Sequence, residues 1–427
     1  MNKRQILWIS SITGITSLCF IIAFHNNSHR IEDSFAASPE DNHSSLRTRT
    51  RTDKELISSA DRRRAKDLAV QKIHKDLLER YPEFKIQYRD VPDELNGYLQ
   101  LIKFAANHSD EILPDNLSHM LKSGESWDGE QVAAWLSKHP DFMEEIFRIA
   151  ELPDRSMKDA EPDREQRLSN SARNMIAQGG YLLAAKSRLL FEAGDHESAL
   201  RYMRGALGIC DHLTQIEAPS VLHRIYATHL QRTTLTNFST SFLPKLEGDP
   251  VALRKWRDAI YPPKDIQSEF YRTIVGEWNF LMGTYLPRML EDYPGYTDEG
   301  FDSRDPVLDD LTQMYQVALT NSKGQSGNGV NISFPDVNDR SLAITPTGRD
   351  FLKKNNSGLK SIFEQLRDNE TSYTMEAAAI SGSIGDEMPI DPVSGLSFRW
   401  DDENQKVLPP ESEDQLTVPT ATSSDKN

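Results

Sequence analysis

The sequence predicts a mainly α-helical protein: an N-terminal transmembrane helix, an antiparallel helical array of repeat-like character, and a small C-terminal hairpin. Three observations predict this. Ile6–Phe24 is an uncharged, largely apolar run. Apolar residues recur at spacings of three and four through the middle of the chain, the stripe of amphipathic helices. Pro389–Trp400 carries Asp-Pro and Gly turn signals, with Phe398 and Trp400 alternating after them, as in a short strand.

The apolar run comes first. At about 1.5 Å per residue it makes a helix of about 28 Å, close to the hydrocarbon thickness of a bilayer. Lys3 and Arg4 precede it with no acidic residue, which places the N-terminus in the cytoplasm and the bulk of the chain in the periplasm, on a single-pass inner-membrane anchor. A cleaved signal peptide is the competing reading. It wants a shorter apolar region and a small-x-small site, whereas the run ends at Ala23-Phe24-His25, and Ser34-Phe35-Ala36 lies well downstream. Cys19 follows Leu18, where a lipoprotein needs a small residue. Length favours the anchor.

The expected organisation is a cytoplasmic tip (1–5), the anchor (6–24), a flexible stalk (25–52), a helical domain (53–320), a loop, helix and short β-hairpin (321–400) and a disordered acidic tail (401–427). The net charge is −16, and the first 52 residues hold six basic and four acidic side chains, so residues 53–427 carry −18. That excludes nucleic acid as a natural partner, because such binding neutralises phosphates. Arg47, Arg49, Arg51 and Arg62–Arg64 read as a solvated linker and an exposed helix face rather than a lipid site. The two cysteines, Cys19 and Cys210, fall in the anchor and the exported part, so stability rests on core burial rather than on a disulfide.

Within the helical domain, Leu56 to Leu78 form an imperfect stripe ending near Tyr81-Pro82, and Pro92-Asp93-Glu94 opens a second helix. Gln131–Lys138 and Phe142–Leu152 are shorter candidates. The clearest helix starts near Asp163 and runs to Ala193; Gly194-Asp195 breaks it, and Asp195 caps the next helix, which runs to Ile216. Ala218-Pro219-Ser220 punctuates the chain, with Pro219 in a first helical turn, before a third stripe from Leu222 to Phe242. Asp265–Leu290 is a fourth long helix. Asn321–Arg340 reads as a loop with short strands at Ile332–Phe334 and Leu342–Ile344, and a last helix covers Gly348–Leu366.

Residues 183–210 resemble one tetratricopeptide repeat, with Ser187, Gly194, Ala199 and Ala206 as small positions and Leu183 and Leu190 as large ones. Lys186 and Asp211 depart from the pattern, and no second copy is present. Any tight helical hairpin also needs small residues at its crossing, and a solenoid needs about three repeats. The anchor, the helical body with Gly194–Leu200, and the segment Pro389–Trp400 together resemble uncharacterised membrane-anchored envelope proteins of planctomycete and verrucomicrobial bacteria, which end in a Pro-x-Asp-Pro-x-Ser-Gly segment. Ser397 and Trp400 replace a Pro and a Tyr of that pattern. A related segment occurs in type II secretion pseudopilins. The resemblance implies an envelope location and brings no site residue.

Chemistry-bearing motifs are sparse. His139-Pro140-Asp141 spells the J-domain tripeptide, but the preceding helix is short, and Asp141 reads as a helix N-cap. His212, His223 and His229, with Cys210 and Asp211, are the one local cluster of metal-capable side chains; their spacings do not put two histidines on one turn, and Cys210 lies on an apolar stripe. Glu269 and Arg272 are spaced to pair on one helix, and Gly276 beside Glu277 suggests a close neighbour. Gly324–Gly329 matches neither a Walker A loop nor a nucleophile elbow.

The sequence therefore supports no catalytic residue, no cofactor and no metal site. It points to a membrane-tethered, extracytoplasmic helical scaffold or protein-binding module with a protein partner. That reading expects a groove lined by aromatic and small residues between helices 163–246. An envelope hydrolase or metal-dependent enzyme is the alternative, expecting His212, His223 or Glu277 in one pocket. A pseudopilin-related secretion component is the third, expecting the hairpin packed on the helix at 348–366.

Overall fold

The computed structural model describes residues 68–108, 113–123, 126–158, 170–292, 306–322, 335–336, 349, 353 and 359–410, all within the compact unit Lys66–Asn427. The apolar run, the stalk, the strands expected at 332–334 and 342–344, and the loop Gly324–Gly329 lie outside the described residues. None of the described helices is long and apolar enough to cross a membrane.

Residues 68–80 are helical. The second helix, α1 (Gly97–Asn107), starts later than Pro92. Asp93–Leu95 is a single 3-10 turn, and Asn96 is the cap, its side chain accepting from the Leu99 N–H at 3.2 Å. Helices α2 (Asp115–Ser123), α3 (Gly129–Lys138) and α4 (Pro140–Ala150) follow. Asp141 is not the cap of α4. Pro140 already has the φ of a first helical residue and needs no N–H there, so the helix starts two residues earlier, after His139.

The centre is a three-helix layer of α5 (Asn170–Glu192), α6 (His196–Thr214) and α7 (Val221–Asn237). Asp195 caps α6 as expected, accepting from Ser198 N at 3.1 Å. Small residues close the α5–α6 crossing: Ser187, Ala199 and Ala206 are fully buried, and Ser187 Oγ donates to the Ala199 carbonyl at 2.6 Å. Pro219 precedes the cap Ser220 rather than entering α7. The third stripe is not one helix. A π-helical turn, Phe238–Phe242, separates α7 from the short α8 (Leu243–Leu246), where Pro244 has no N–H to continue the ladder.

Next come α9 (Pro250–Ile260), α10 (Ile266–Asp292), α11 (Pro306–Ser322) and α12 (Leu359–Ser383). The last helix thus extends well past Leu366, because Tyr373, Ala377, Ala378 and Ile380 continue its buried stripe. Strands β1 (Arg399–Asp401) and β2 (Lys406–Leu408) pair antiparallel, Trp400 opposite Val407. The order therefore reaches Pro410, beyond the tail boundary expected at 401. Asp391 builds the preceding turn, its carboxylate accepting from Val393 N and Ser394 N, and Gly395 supplies a φ of +71°. Trp400 packs on Gly382 of α12, so the hairpin rests at the end of this helix and not within 348–366.

Three apolar clusters hold these helices. One joins 68–80, α10, α11 and the start of α12 around Trp278, which stacks on Phe84 and donates to Thr312 Oγ1 at 3.2 Å. A second fills the space among α1–α7. The third packs Phe191, Phe238, Phe242 and Trp256 beneath α12.

Candidate functional site

The start of α7 presents a cleft against α5. Ser220 and His223 form a capping box: His223 Nδ1 accepts from the Ser220 N–H at 3.2 Å, which satisfies a donor at the helix end. The other ring nitrogen, Nε2, lies 2.9 Å from Tyr98 Oη of α1. Burial first, and then Arg173, push the His223 pKa down to about 4, so the ring is neutral near pH 7. One turn on, the ring of Tyr226 carries the Arg173 guanidinium at 5.2 Å. Ile176, Ala177, Leu213 and Leu230 complete an apolar floor. The cavity is about 10 Å³, room for about one water.

A second cleft lies further along the same two helices, lined by Met120, Leu121, Trp127, Ala184, Ala185, Arg188 and Asn237. The Arg188 guanidinium covers the Trp127 ring at 4.2 Å. Glu192 accepts from Arg188 Nε at 3.0 Å and from Trp127 Nε1 at 3.3 Å. Tyr226 and Ala177 line the first cleft and Trp127, Ala184 and Ala185 the second, Trp127 reaching it from outside the helices of 163–246.

The metal-capable cluster does not assemble. His212 is buried and pairs through Nε2 with the Ile149 carbonyl at 2.9 Å, its Nδ1 buried without a partner. Burial holds its pKa down to about 4. His229 sits edge-on to Tyr181. The Cys210 thiol is buried near the Ala206 carbonyl, and burial pushes its pKa up, as for a core side chain. Of His212, His223 and Glu277, only His223 lines the α5–α7 cleft. Glu277 is buried instead beneath the start of α7, where Oε2 accepts from Val221 N at 2.8 Å. Gly276 fits beside it because a Cβ there would meet the Ala218 and Pro219 carbonyl oxygens at 2.4 Å, the close neighbour expected.

Glu269 pairs differently from the expectation. Its partner is Arg224 of α7, at 2.5 Å, while Arg272 donates to the Ile216 carbonyl. Burial alone would raise the Glu269 pKa; Arg224, with Lys264, outweighs it and lowers it. Arg224 also reaches Glu370 of α12 at 3.3 Å, and Lys264 holds the other Glu370 oxygen at 3.3 Å. These charges tie α7, α10 and α12 together in the interior. Charged groups so paired are structural, since each carboxylate already has its cation. His139 stacks on Trp135 at 4.1 Å between α3 and α4, in a short helical corner.

Sequence reasoning missed Tyr98, Trp127, Arg173 and Arg188. The arginines carried a readable signal only in part: Arg188 and Glu192 stand at i, i+4, but the aromatic partners are distant in sequence, Tyr226 on α7 and Trp127 in the connection before α3. Compared with known proteins, the chain matches no family model, no curated protein and no solved structure.

Proposed function

We propose that this chain is a membrane-tethered, extracytoplasmic helical scaffold of a bacterial envelope whose α5–α7 face binds another protein. The observation that carries the reading is the pair of clefts on that face, each an arginine laid over an aromatic ring beside small and apolar residues. Arginine and aromatic side chains dominate the energetics of protein interfaces. A cleft with room for about one water is far below the size of a small-molecule substrate pocket, so a partner would bind across the face rather than within it. The buried ions Arg224, Glu269 and Glu370 support the same reading, because they brace α7, one of the two helices that present the face.

The tether belongs to the proposal on the strength of Ile6–Phe24 and the preceding Lys3 and Arg4. Kinship with the planctomycete and verrucomicrobial envelope proteins belongs to it on the strength of Pro389–Trp400.

The test is affinity capture of the detergent-solubilised full chain from its own envelope, with mass spectrometry. A reproducible stoichiometric partner, lost on Tyr226→Ala with Trp127→Ala, is the expected result. A partner-free protein, or a partner indifferent to both substitutions, would overturn the reading.

A further inference from the structure

The first turn of α1 is seated on two imidazole rings from two other helices. Gly97 opens the turn, and a Cβ there would overlap the His212 ring of α6. Glycine alone lets the backbone come this close. Tyr98 follows, and its Oη lies 2.9 Å from His223 Nε2 of α7. Successive residues of one turn thus meet two titratable rings. His212 is 1% exposed and His223 is half-buried.

Both rings are placed for the neutral state. His212 Nε2 donates to the Ile149 carbonyl of α4 at 2.9 Å, which leaves Nδ1 as the bare nitrogen, buried without a partner among the described residues. A proton there makes a buried N–H with no acceptor, which is costly. His223 Nδ1 accepts from Ser220 N at 3.2 Å. A proton on that nitrogen can go to Ser220 Oγ, 2.8 Å away, but it leaves the Ser220 N–H unpaired.

The surrounding charges favour neutrality too. The positive end of the α1 macrodipole falls on this turn, so charged rings meet like sign there. Among the described residues, the charged groups that act on the rings are cations: Arg155, in the connection after α4, on His212, and Arg173 of α5 on His223. Asp154 and Asp211 face Arg155, and burial raises the Asp211 pKa. Glu217, between α6 and α7, is held by Arg89 and by Met157 N. Glu277 of α10 accepts from Val221 N at the start of α7. Burial raises its pKa to about 7, so it loses its charge before the histidines gain theirs. Burial, the largest cause, and the two cations hold both histidine pKa values down to about 4 from 6.5.

We propose that the first turn of α1 is an acid-released element, seated on α6 and α7 while His212 and His223 are neutral and displaced when both are charged. The seat is at full strength above pH 6.5 and weakens as pH falls towards about 4, because the open state binds the protons more tightly. For each histidine that must charge, the opening constant rises about tenfold per pH unit across that window.

Native-state hydrogen exchange of the full chain in mild detergent, read by mass spectrometry and corrected for the intrinsic rate, provides the test. The opening constant of α1 should rise up to about a hundredfold per pH unit between about pH 6.5 and 4, and at about pH 4.5 α1 should exchange at least about tenfold faster than α12. His212→Gln keeps a donor for the Ile149 carbonyl and cannot charge; it should reduce the dependence to about tenfold per unit. His223→Asn keeps an acceptor for Ser220 N and should do the same, so either variant alone is decisive if the other fails to fold. His196→Gln, exposed at the far end of α6, should leave the dependence unchanged. A dependence that survives His212→Gln or His223→Asn in full would overturn the proposal. So would protection of α1 that does not fall with pH, or α1 exchange no faster than that of α12 at about pH 4.5, which is global acid unfolding.

Discussion

Replacing Glu277 by Gln should make the protein more stable above neutral pH. Glu277 is only 6% exposed, and its Oε2 accepts one hydrogen bond, from Val221 N at 2.8 Å. Burial is the cause that raises its pKa, to about 7 from 4.5; the Val221 N–H lowers it but does not offset burial. A raised carboxyl pKa means that the folded state binds the proton more tightly than the unfolded chain. Below about pH 4.5 both states hold the proton and Glu277 costs nothing. As pH rises from there to about 7 the unfolded state ionises first, and stability falls. At about 1.36 kcal/mol per unit, the full cost at alkaline pH is about 3 kcal/mol.

Gln offers an amide oxygen to Val221 N in place of the carboxylate oxygen, without a charge to bury. Urea unfolding of the full chain in mild detergent, followed by circular dichroism, measures the effect. The variant should gain up to about 3 kcal/mol at about pH 8, and the gain should vanish near pH 4.5. His212 provides an internal control. Its pKa is lowered to about 4 by burial, so its contribution is lost as pH falls through 6.5 towards 4, in both proteins alike. A difference between the two proteins that is independent of pH, or a loss of stability at about pH 8, would refute the reasoning.

Arg224→Ala leaves Glu269 and half of the Glu370 pairing buried without a cation; unfolding should become easier by about 3–5 kcal/mol, read from the same urea curves. Gly276→Ala pushes a methyl into the Ala218 and Pro219 carbonyls, costing about 1–3 kcal/mol because backbone must move, and the urea midpoint should fall accordingly. Proteinase added to spheroplasts should digest residues 53–427 and spare an N-terminal epitope, if Ile6–Phe24 spans the inner membrane as proposed; the opposite protection pattern would reverse the topology.

Helices were legible where one stripe and one cap decided them. Asp195 with Ser198, and the long runs in 170–192 and 266–292, needed only local information. Asp249-Pro250 was an equally local signal that sequence reading passed over: Asp249 accepts from Val251 N and Ala252 N and starts α9. Elsewhere tertiary partners made the decision. The cap of α1 fell at Asn96, beyond Pro92-Asp93-Glu94, because its side chain also bonds Ser156 N and the Ser156 carbonyl, sixty residues away. Glu269 turned from its helical neighbour Arg272 to Arg224 because a buried carboxylate gains more from a buried cation than from a half-exposed one. The length of α12 was hidden by its polar residues, among them Glu370, whose partners Arg224 and Lys264 lie far away in sequence. The α5–α7 region was legible as a helical hairpin with small residues. Its chemistry was not, because Tyr98 reaches it from α1 and Trp127 from the connection between α2 and α3.

Cross-linking of the full chain to its captured partner with a short amine-reactive reagent tests the binding face most directly. Lys122 of α2 follows Leu121, which lines the second cleft of the α5–α7 face, whereas Lys255 and Lys406 stand on α9 and β2. The account predicts partner cross-links concentrated at Lys122. Cross-links concentrated at Lys255 or Lys406 would place the partner on another face and contradict it.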